Sequence, residues 1–308
     1  MSEFIIEFRQ MSKEFPSDDG GTNLVLNGIN LRVRTGEFVC LVGGSGSGKS
    51  TLFNHALGTL HPTSGEVLVN GTPVQGEGPD RGIVPQSYSL YPHLRVADNI
   101  GFGLMLSQVN NLQRFLLTPT YRKARRDTRR LVTEYITELG LEPSDANRWP
   151  HELSGGMKQR VAIGTALIKQ PKVLMMDEPF GALDPETRTK LQKLTLRKWK
   201  ELGLTVIFVT HMMEEAVLLA DRVVGLSKYW LDNDGKPGKG ATIVLDRQIA
   251  EGRDDKGMRR EDFADSAEFH DVCTKIHRLV LDTTRRVAQK DFDLSHPDAA
   301  SRTALAAA

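Results

Sequence analysis

A glycine-rich loop is the segment of the sequence whose residue types and spacing point most directly to chemistry. It fits the pattern G-x-x-x-x-G-K-[ST] and lies between an apolar run at 38–42 and a helical pattern at 51–57. Glycines allow backbone N–H groups to surround phosphate oxygens, and the following helix N-terminus favours the same anion. Lys49 is expected to contact the β- and γ-phosphates and the Ser50 hydroxyl to bind Mg²⁺. The predicted nucleotide-binding residues are Gly43, Gly44, Ser45, Gly46, Ser47, Gly48, Lys49, Ser50 and Thr51.

A pair of carboxylates follows another apolar run. Residues 173–176 have the pattern of a short buried strand, and Asp177 and Glu178 come directly after it. Because the carboxyl ends of parallel strands meet at the ligand crevice, this pair is expected beside the phosphate loop. There Asp177 would support Mg²⁺ and Glu178 would polarise an attacking water. Such a pair can also be a solvated turn, but the matched phosphate loop favours the functional interpretation.

A second helix N-terminus is suited to binding an anion. Ser154, Gly155, Gly156 and Met157 precede a helical pattern at 158–168. A serine and two glycines at a helix start leave backbone N–H groups available to an anion, although an ordinary N-cap is the alternative interpretation. One nucleotide has no obvious need for both this helix end and the phosphate loop.

The elements that must position these residues follow from the hydrophobic pattern. Short, mostly apolar runs, typical of strands buried on both faces, lie at 38–42, 173–176 and 205–210. Helical patterns separate them, which predicts an α/β domain with a largely parallel central sheet. Segments 4–8 and 24–33 predict further strands, and helical patterning dominates 96–149. A helical subdomain is therefore predicted to be inserted into the α/β core.

Two segments of the helical region have more than one interpretation. Residues 108–120 are predicted to form an additional loop, and a basic run follows at 122–130. The simpler interpretation of the basic run is a solvated helix face, and contact with anionic lipid or a partner is the alternative.

The C-terminal part, residues 231–308, is predicted to be an extension with its own elements. It has a strand pattern at 241–245 and a charge-dense stretch at 246–262. Apolar residues from Phe269 to Val280 then recur with helical spacing, after a cap-like Asp265. The alanine-rich end is expected to be disordered.

Composition excludes several classes of protein. The 308 residues include 40 Lys plus Arg and 39 Asp plus Glu, so the basic excess typical of nucleic-acid-coating proteins is missing. Two cysteines, Cys40 and Cys273, predict a reducing compartment rather than a disulfide framework. No signal-peptide pattern is found, and no run approaches the ~18 apolar residues of a membrane-spanning helix. The histidines lack zinc-ligand spacing.

Taken together, the motifs over residues 4–228 resemble the nucleotide-binding subunit of an ATP-binding cassette (ABC) transporter. The phosphate loop is similar to the Walker A motif, the segment at 153–157 to the family signature, and 173–178 to Walker B with its catalytic glutamate. The resemblance implies further roles: Gln86 as the Q-loop glutamine, His211 as the switch histidine, Asp184 in the D-loop and Phe15 stacking on adenine. It thus implies catalytic residues Glu178, His211 and Gln86, and Mg²⁺ ligands Ser50, Gln86 and Asp177.

The same resemblance implies an architecture and an assembly. Residues 1–230 would form a P-loop NTPase core with an antiparallel β subdomain and a helical subdomain at 96–160. Two cassettes would pair head-to-tail, so that Ser154 to Met157 of one copy meet the nucleotide of the other, which explains the second anion-binding helix end. The expected partners are a second, identical cassette, transmembrane permease subunits and, indirectly, a solute-binding protein. The expected location is the cytoplasmic face of the cell membrane.

Finer features favour one branch of the family. The stretch at 152–163, with Met157 where many cassettes have Gln, is similar to the nitrate, sulfonate and taurine importers. The predicted function is an ATP-hydrolysing importer motor for a small anion or a small nitrogen or sulfur compound. The alternative is a soluble ABC ATPase of DNA repair or translation. Against it, the chain has one phosphate loop and no sustained heptads between Lys49 and Ser154.

Overall fold

Twelve strands are defined in the computed structural model, which describes residues 3–17, 20–87, 89–108, 119–181, 183–249, 259 and 261–299. They are β1 (Phe4–Pro16), β2 (Thr22–Arg34), β3 (Phe38–Gly43), β4 (Ser64–Val69), β5 (Thr72–Pro73), β6 (Arg81–Val84), β7 (Val173–Asp177), β8 (Thr205–Val209), β9 (Arg222–Ser227), β10 (Trp230–Leu231), β11 (Thr242–Gln248) and β12 (Val287–Ala288). The helices are α1 (Lys49–Leu57), α2 (Val96–Gln108), α3 (Pro119–Glu138), α4 (Gly155–Leu167), α5 (Pro185–Leu202), α6 (Met213–Leu219) and α7 (Ala267–Ile276).

The central sheet has six strands in the order β11-β9-β3-β8-β7-β6. The five strands from β9 to β6 are parallel, and β11 is antiparallel at one edge. β3 and β8 are buried at every residue, which explains their short continuous apolar sequences. The predicted α/β fold with a mostly parallel sheet is confirmed, and a separate antiparallel sheet has the order β2-β1-β4-β5.

Helices α2, α3 and α4 pack together beside the central sheet. Ile100, Val132 and Ile163 are fully buried or nearly so in this cluster. Gly164 lets α4 approach α3 closely, because a Cβ at this position would lie 2.6 Å from Leu139 Cδ1. The predicted loop at 108–120 lies mostly outside the described residues. Its described ends are helical, because α2 continues to Gln108 and α3 begins at Pro119, so the loop prediction is wrong at these positions.

The C-terminal extension packs on the central sheet through its helical segment. Helix α7 contacts α6 and continues into a π-helical turn, His277–Leu281, which packs against β9. Gly225 of β9 makes this contact possible, because a Cβ there would lie 2.4 Å from Val280 Cγ2. The prediction that Asp265 caps this helix is wrong. Ser266 is the N-cap and accepts a hydrogen bond from Phe269 N at 3.1 Å, whereas Asp265 ends a preceding 3₁₀ turn.

A buried ionic network fastens the end of the extension to the sheet. The guanidinium of Arg222, which is fully buried, donates to both carboxylate oxygens of Asp246 at 2.6 and 2.7 Å. It also lies 3.4 Å from Glu37, which in turn lies 3.6 Å from His296 Nε2. The backbone N–H of His296 donates to Asp246 O at 2.9 Å, and Asp298 pairs with Arg34. Residues 293–298 are therefore held by backbone and side-chain contacts to β2, to β11 and to Glu37 in the turn between β2 and β3. The alanine-rich end, predicted to be disordered, lies outside the described residues.

This network predicts a loss of stability in mild acid. Burial, with the nearby Arg222, lowers the pKa of His296 from 6.5 to about 4, against the opposing charges of Asp246 and Asp298. The unfolded chain therefore takes up a proton before the folded one as the pH falls. The stabilisation is complete above pH 6.5 and is lost toward pH 4, by about 3 kcal/mol in total.

The measurement is the free energy of unfolding of the wild type and of His296→Asn between pH 7 and pH 4. The variant should lose less stability over this interval than the wild type. Since Glu37, Asp246, Asp298, Arg34 and Arg222 remain in both proteins, their titration largely cancels in the difference. Equal pH dependence of the two proteins would contradict the prediction.

Candidate functional site

The phosphate loop turns from β3 into α1 as its motif requires. Gly46 and Gly48 have φ angles of 69° and 83°, in the left-handed region that favours glycine, and Gly48 is the N-cap of α1. A side chain at Gly48 is also excluded because its Cβ would lie 2.5 Å from Leu26 Cδ2. Lys49 Nζ donates to Gly43 O at 2.8 Å and to Gly44 O at 3.1 Å. The ammonium group of Lys49 is thus held against the phosphate loop, where it is predicted to contact the phosphates.

The carboxylates predicted to accompany this loop lie beside it. Burial lowers the pKa of Lys49, and the charges of Glu178 and Asp177 oppose that shift. Burial and the adjacent Glu178 raise the pKa of Asp177, whereas Lys49 lowers it. The three groups therefore influence each other's pKa values. They lie near each other because β7 and β3 end at the same edge of a parallel sheet.

Glu178 is the centre of a polar cluster. Gln86 Nε2 donates to Glu178 Oε2 at 3.1 Å, and His211 Nδ1 lies 3.2 Å from Glu178 Oε1. Glu178 has a φ of 45°, which is uncommon for a residue other than glycine and is typical of functional sites. A cavity of about 240 Å³ lies here, lined by Gln86, Gln159, Glu178, Pro179, Gly181, Leu183 and His211. The structure therefore brings together the three residues predicted to be catalytic.

The segment that carries His211 is fixed by a buried acid. Glu215 accepts a hydrogen bond from Thr210 Oγ1 at 2.6 Å and from Gln192 Nε2 at 2.9 Å. Thr210 Oγ1 also accepts from Met212 N at 3.1 Å, so the residues on both sides of His211 are held. Burial raises the pKa of Glu215, and these hydrogen bonds oppose the shift. The histidine itself remains mostly exposed.

Gln159 is a site residue that the sequence analysis missed. It lines the cavity at Glu178, its side chain is buried, and its Nε2 has no hydrogen-bond partner among the residues that the structure describes. Leaving a buried amide N–H₂ group unpaired costs free energy, which makes it a candidate donor to a bound ligand or water. The sequence carries no signal for it, because Gln159 stands between the polar Lys158 and Arg160, and only the structure shows that its side chain is buried.

Other predicted site residues lie outside this cavity. Ser154 is exposed at the N-terminus of α4, where its hydroxyl accepts from Met157 N at 3.3 Å. Asp184 caps α5 by accepting from Thr187 N at 3.0 Å, and this bonding lowers the pKa of Asp184. Phe15 lies in the separate antiparallel sheet near the end of β1. Within one chain, the signature residues Ser154 to Met157 and the D-loop acid Asp184 are therefore not part of the Glu178 cluster.

The residues near the phosphate loop fit Mg²⁺. Asp177 supplies a carboxylate, Ser50 a hydroxyl and Gln86 an amide oxygen, and Mg²⁺ prefers such hard oxygen ligands. Within the described ranges, no group of three His, Cys, Asp or Glu residues could hold a metal ion. A Mg²⁺ site with one carboxylate is typical of nucleotide enzymes, because phosphates and water supply the other ligands.

The comparison with protein families establishes which family the chain belongs to. The model for the ABC transporter family matches residues 26–181, which hold the phosphate loop, the signature and Glu178. The chain belongs to the ABC transporter family. It is an ATPase of that family. No helix among the described residues has the length and apolar character needed to span a bilayer.

Relatives and solved structures extend this result. The chain is 43% identical to a nitrate import ATP-binding protein, NrtD, of Synechocystis over 222 residues, 72% of this chain and 77% of the relative. It is 42% identical to a bicarbonate transport ATP-binding protein, CmpC, of Synechococcus elongatus over 227 residues, 74% of this chain. That match spans about a third of CmpC (32%). The resemblance to import proteins of this branch is confirmed, and the repair or translation alternative is not favoured.

A solved cassette shares the fold. It is a dimeric post-hydrolysis state of the ATP-binding cassette MJ0796 bound to ADP and phosphate, 27% identical with a TM-score of 0.65. The match covers 80% of this chain and 99% of that cassette. The match leaves about a fifth of this chain uncovered, which is enough residues for an extension beyond the shared cassette.

Proposed function

We propose that the chain is the ATP-hydrolysing motor of a binding-protein-dependent importer for a small oxyanion such as nitrate. The observation that carries this proposal is the hydrogen bond between Gln86 and Glu178. It connects the reacting end of the ATP site to the segment that leads into α2. The names of the nitrate and bicarbonate relatives support a small oxyanion as the transported solute.

In the proposed reaction, Lys49 and the backbone of the phosphate loop hold the β- and γ-phosphates of ATP. When bound, Mg²⁺ would neutralise charge on those phosphates, and Ser50, Asp177 and Gln86 would hold it. Glu178 accepts a proton from the attacking water, because its carboxylate lies at the end of β7 beside the loop. His211, at hydrogen-bond distance from Glu178, orients its carboxylate. Phe15 would stack on the adenine.

Two copies of the chain are proposed to pair head-to-tail around two ATP molecules. Ser154, Gly155, Gly156 and Met157 are exposed or half-buried at the start of α4, which leaves this helix end accessible to a second copy. A helix N-terminus favours an anion such as the γ-phosphate. The dimeric state of the MJ0796 cassette supports this arrangement. Asp184, exposed at the start of α5, would lie at the same interface.

A surface on α2 is proposed to receive the transmembrane subunits. The Tyr91 side chain is 44% exposed and packs on Phe102 with ring centroids 4.8 Å apart, and Leu106 is 43% exposed. Buried Asn99 holds this turn to α2, accepting from Tyr91 N at 2.8 Å and donating to Leu94 O at 2.9 Å. Exposed apolar residues on a rigid support are typical of a binding surface.

The proposal also includes a location in the cell and a division of the chain into a cassette and an extension. The motor would lie on the cytoplasmic face of the membrane through this surface, and the solute-binding protein would act indirectly. Residues 1–230 would form the cassette and 231–308 the extension. Of the residues after Gln86 expected to contact the permease, Tyr88 lies outside the described residues. Leu90 is half-buried against the core, so Tyr91 is the better residue to test.

Tyr91→Ala should weaken assembly with the membrane subunits without changing ATP hydrolysis by the isolated chain. The ring offers contact area to a partner but lies outside the Glu178 cluster. We expect roughly a tenfold loss of affinity, as for an aromatic residue at the centre of an interface. The measurements are co-purification with co-expressed membrane subunits and nitrate-stimulated hydrolysis by the assembled complex.

Lys193→Ala, on the exposed face of α5, is the matched control and should assemble normally. Normal assembly of Tyr91→Ala would place the docking surface elsewhere. An assembled complex whose hydrolysis responds to other solutes but not to nitrate would overturn the substrate class alone.

A further inference from the structure

A cavity in the C-terminal extension is lined by three arginines. It measures about 370 Å³, within the approximate range of 300–1,000 Å³ usual for small-molecule sites. Its lining residues are Arg278, Leu279, Arg285, Arg286, Val287, Ala288 and Asp291. All lie outside residues 26–181, which the family model matches, and far along the chain from the ATP site. The reaction proposed above uses none of them.

The arginines come from two segments that the fold holds together. Arg278 belongs to the π-helical turn, a rare conformation that is frequent at functional sites. Arg285 and Arg286 immediately precede β12, which pairs with β10 and begins with a hydrogen bond from Val287 N to Tyr229 O at 3.0 Å. Between these segments, Asp282 accepts from Thr284 N at 2.9 Å and so shapes the connecting turn. The backbone on both sides of the cavity is therefore held in place by these hydrogen bonds.

The three arginines of this cavity lack a direct partner among the described residues. In the part of the chain that the structure describes, none of the three guanidinium groups has a hydrogen bond or an ion pair. Asp291 is the sole acid among the described lining residues, and Asp282 interacts with Arg285 through the longer-range Coulomb attraction. Three like charges around one cavity repel each other, so an anion bound between them would be stabilised.

We propose that this cavity binds a phosphate group, either free inorganic phosphate or the phosphate of a small metabolite. Guanidinium groups form paired, charge-assisted hydrogen bonds with phosphate oxygens, and the net positive lining suits a dianion. Buried Leu279 and Val287 give the cavity an apolar wall on which an organic part could pack. The proposal is independent of the transported solute and of the proposed ATP site.

The test is isothermal titration of the full chain with inorganic phosphate and, separately, with glucose 6-phosphate. Arg278→Gln and Arg286→Gln should each weaken binding at least roughly tenfold, because each removes a charge-assisted contact. Asp291→Asn should strengthen binding about threefold by removing the repelling carboxylate. Loss of folding cannot produce a gain in affinity, so stronger binding by Asp291→Asn could not be attributed to a folding defect. Both arginines are exposed, and unchanged circular dichroism of their variants verifies the fold.

Two controls separate this cavity from other sites. Lys290→Gln removes an exposed charge from the same segment but not from the lining, and should leave affinity within about twofold at physiological salt. Lys49→Ala should remove only binding at the phosphate loop. Tighter binding of glucose 6-phosphate assigns the site to a metabolite, and equal binding assigns it to the free ion. Binding that disappears in Lys49→Ala, or that Arg278→Gln and Arg286→Gln leave unchanged, would overturn the proposal.

Discussion

Glu178→Gln is expected to bind ATP with wild-type affinity and to lose at least about 100-fold in hydrolysis. The amide keeps an acceptor for Gln86 Nε2, now 3.1 Å from the carboxylate, so the cluster should keep its geometry. It cannot take a proton from water. The strained backbone at this position, with φ at 45°, is also preserved because the side chain keeps its size. The measurements are an ATP-binding titration and a phosphate-release assay.

The assembly state of the same variant tests the head-to-tail pairing. Since the closed pair cannot hydrolyse ATP, dimers should accumulate when ATP is present and be visible in sedimentation. Lys49→Ala is the matched control: it should lose ATP binding and remain monomeric, because the charge that contacts the phosphates is gone. Hydrolysis retained in Glu178→Gln would remove Glu178 from the role of base. ATP-saturated monomers would contradict pairing through Ser154 to Met157.

Arg222→Met is expected to lower the free energy of unfolding by about 3–5 kcal/mol. The substitution leaves Asp246 buried without the guanidinium that contacts both its oxygens, and it removes the charge that faces Glu37. An unpaired buried carboxylate is costly because it loses hydration without gaining a partner. The measurement is urea unfolding at neutral pH.

Two further variants make this stability test specific. Arg222→Met combined with Asp246→Leu should recover part of the loss, because a buried apolar pair replaces a buried lone charge. Lys190→Met, which breaks an exposed pair with Glu186 on α5, should change stability by only about 0.5 kcal/mol. A double variant as unstable as Arg222→Met would show that the loss comes from packing rather than from the stranded charge.

The phosphate loop, the strands beside the site and the family can all be predicted from the sequence. These features depend on local chemistry: Gly46 and Gly48 are needed for positive φ angles, Lys49 for its charge, and buried strands for apolar runs. The same local patterning predicts helices around 122–139 and 269–280, and the structure has helices at 119–138 and 267–276. The N-cap was placed one residue early, because Asp265 and Ser266 are both good caps and only backbone geometry distinguishes them.

Only the tertiary structure shows which distant residues contact each other. Gln86, Gln159 and His211 come from three separate parts of the chain, and their convergence on Glu178 depends on strand order and helix packing. Arg222 lies in an apolar strand pattern, so the buried pair with Asp246 could not be inferred without knowing that β9 and β11 are neighbours. The arginines of the extension form a cavity only because β12 pairs with β10. Long-range pairing of this kind leaves no periodic signal in a single sequence, since its free energy comes from burial and charge between segments rather than from local conformation.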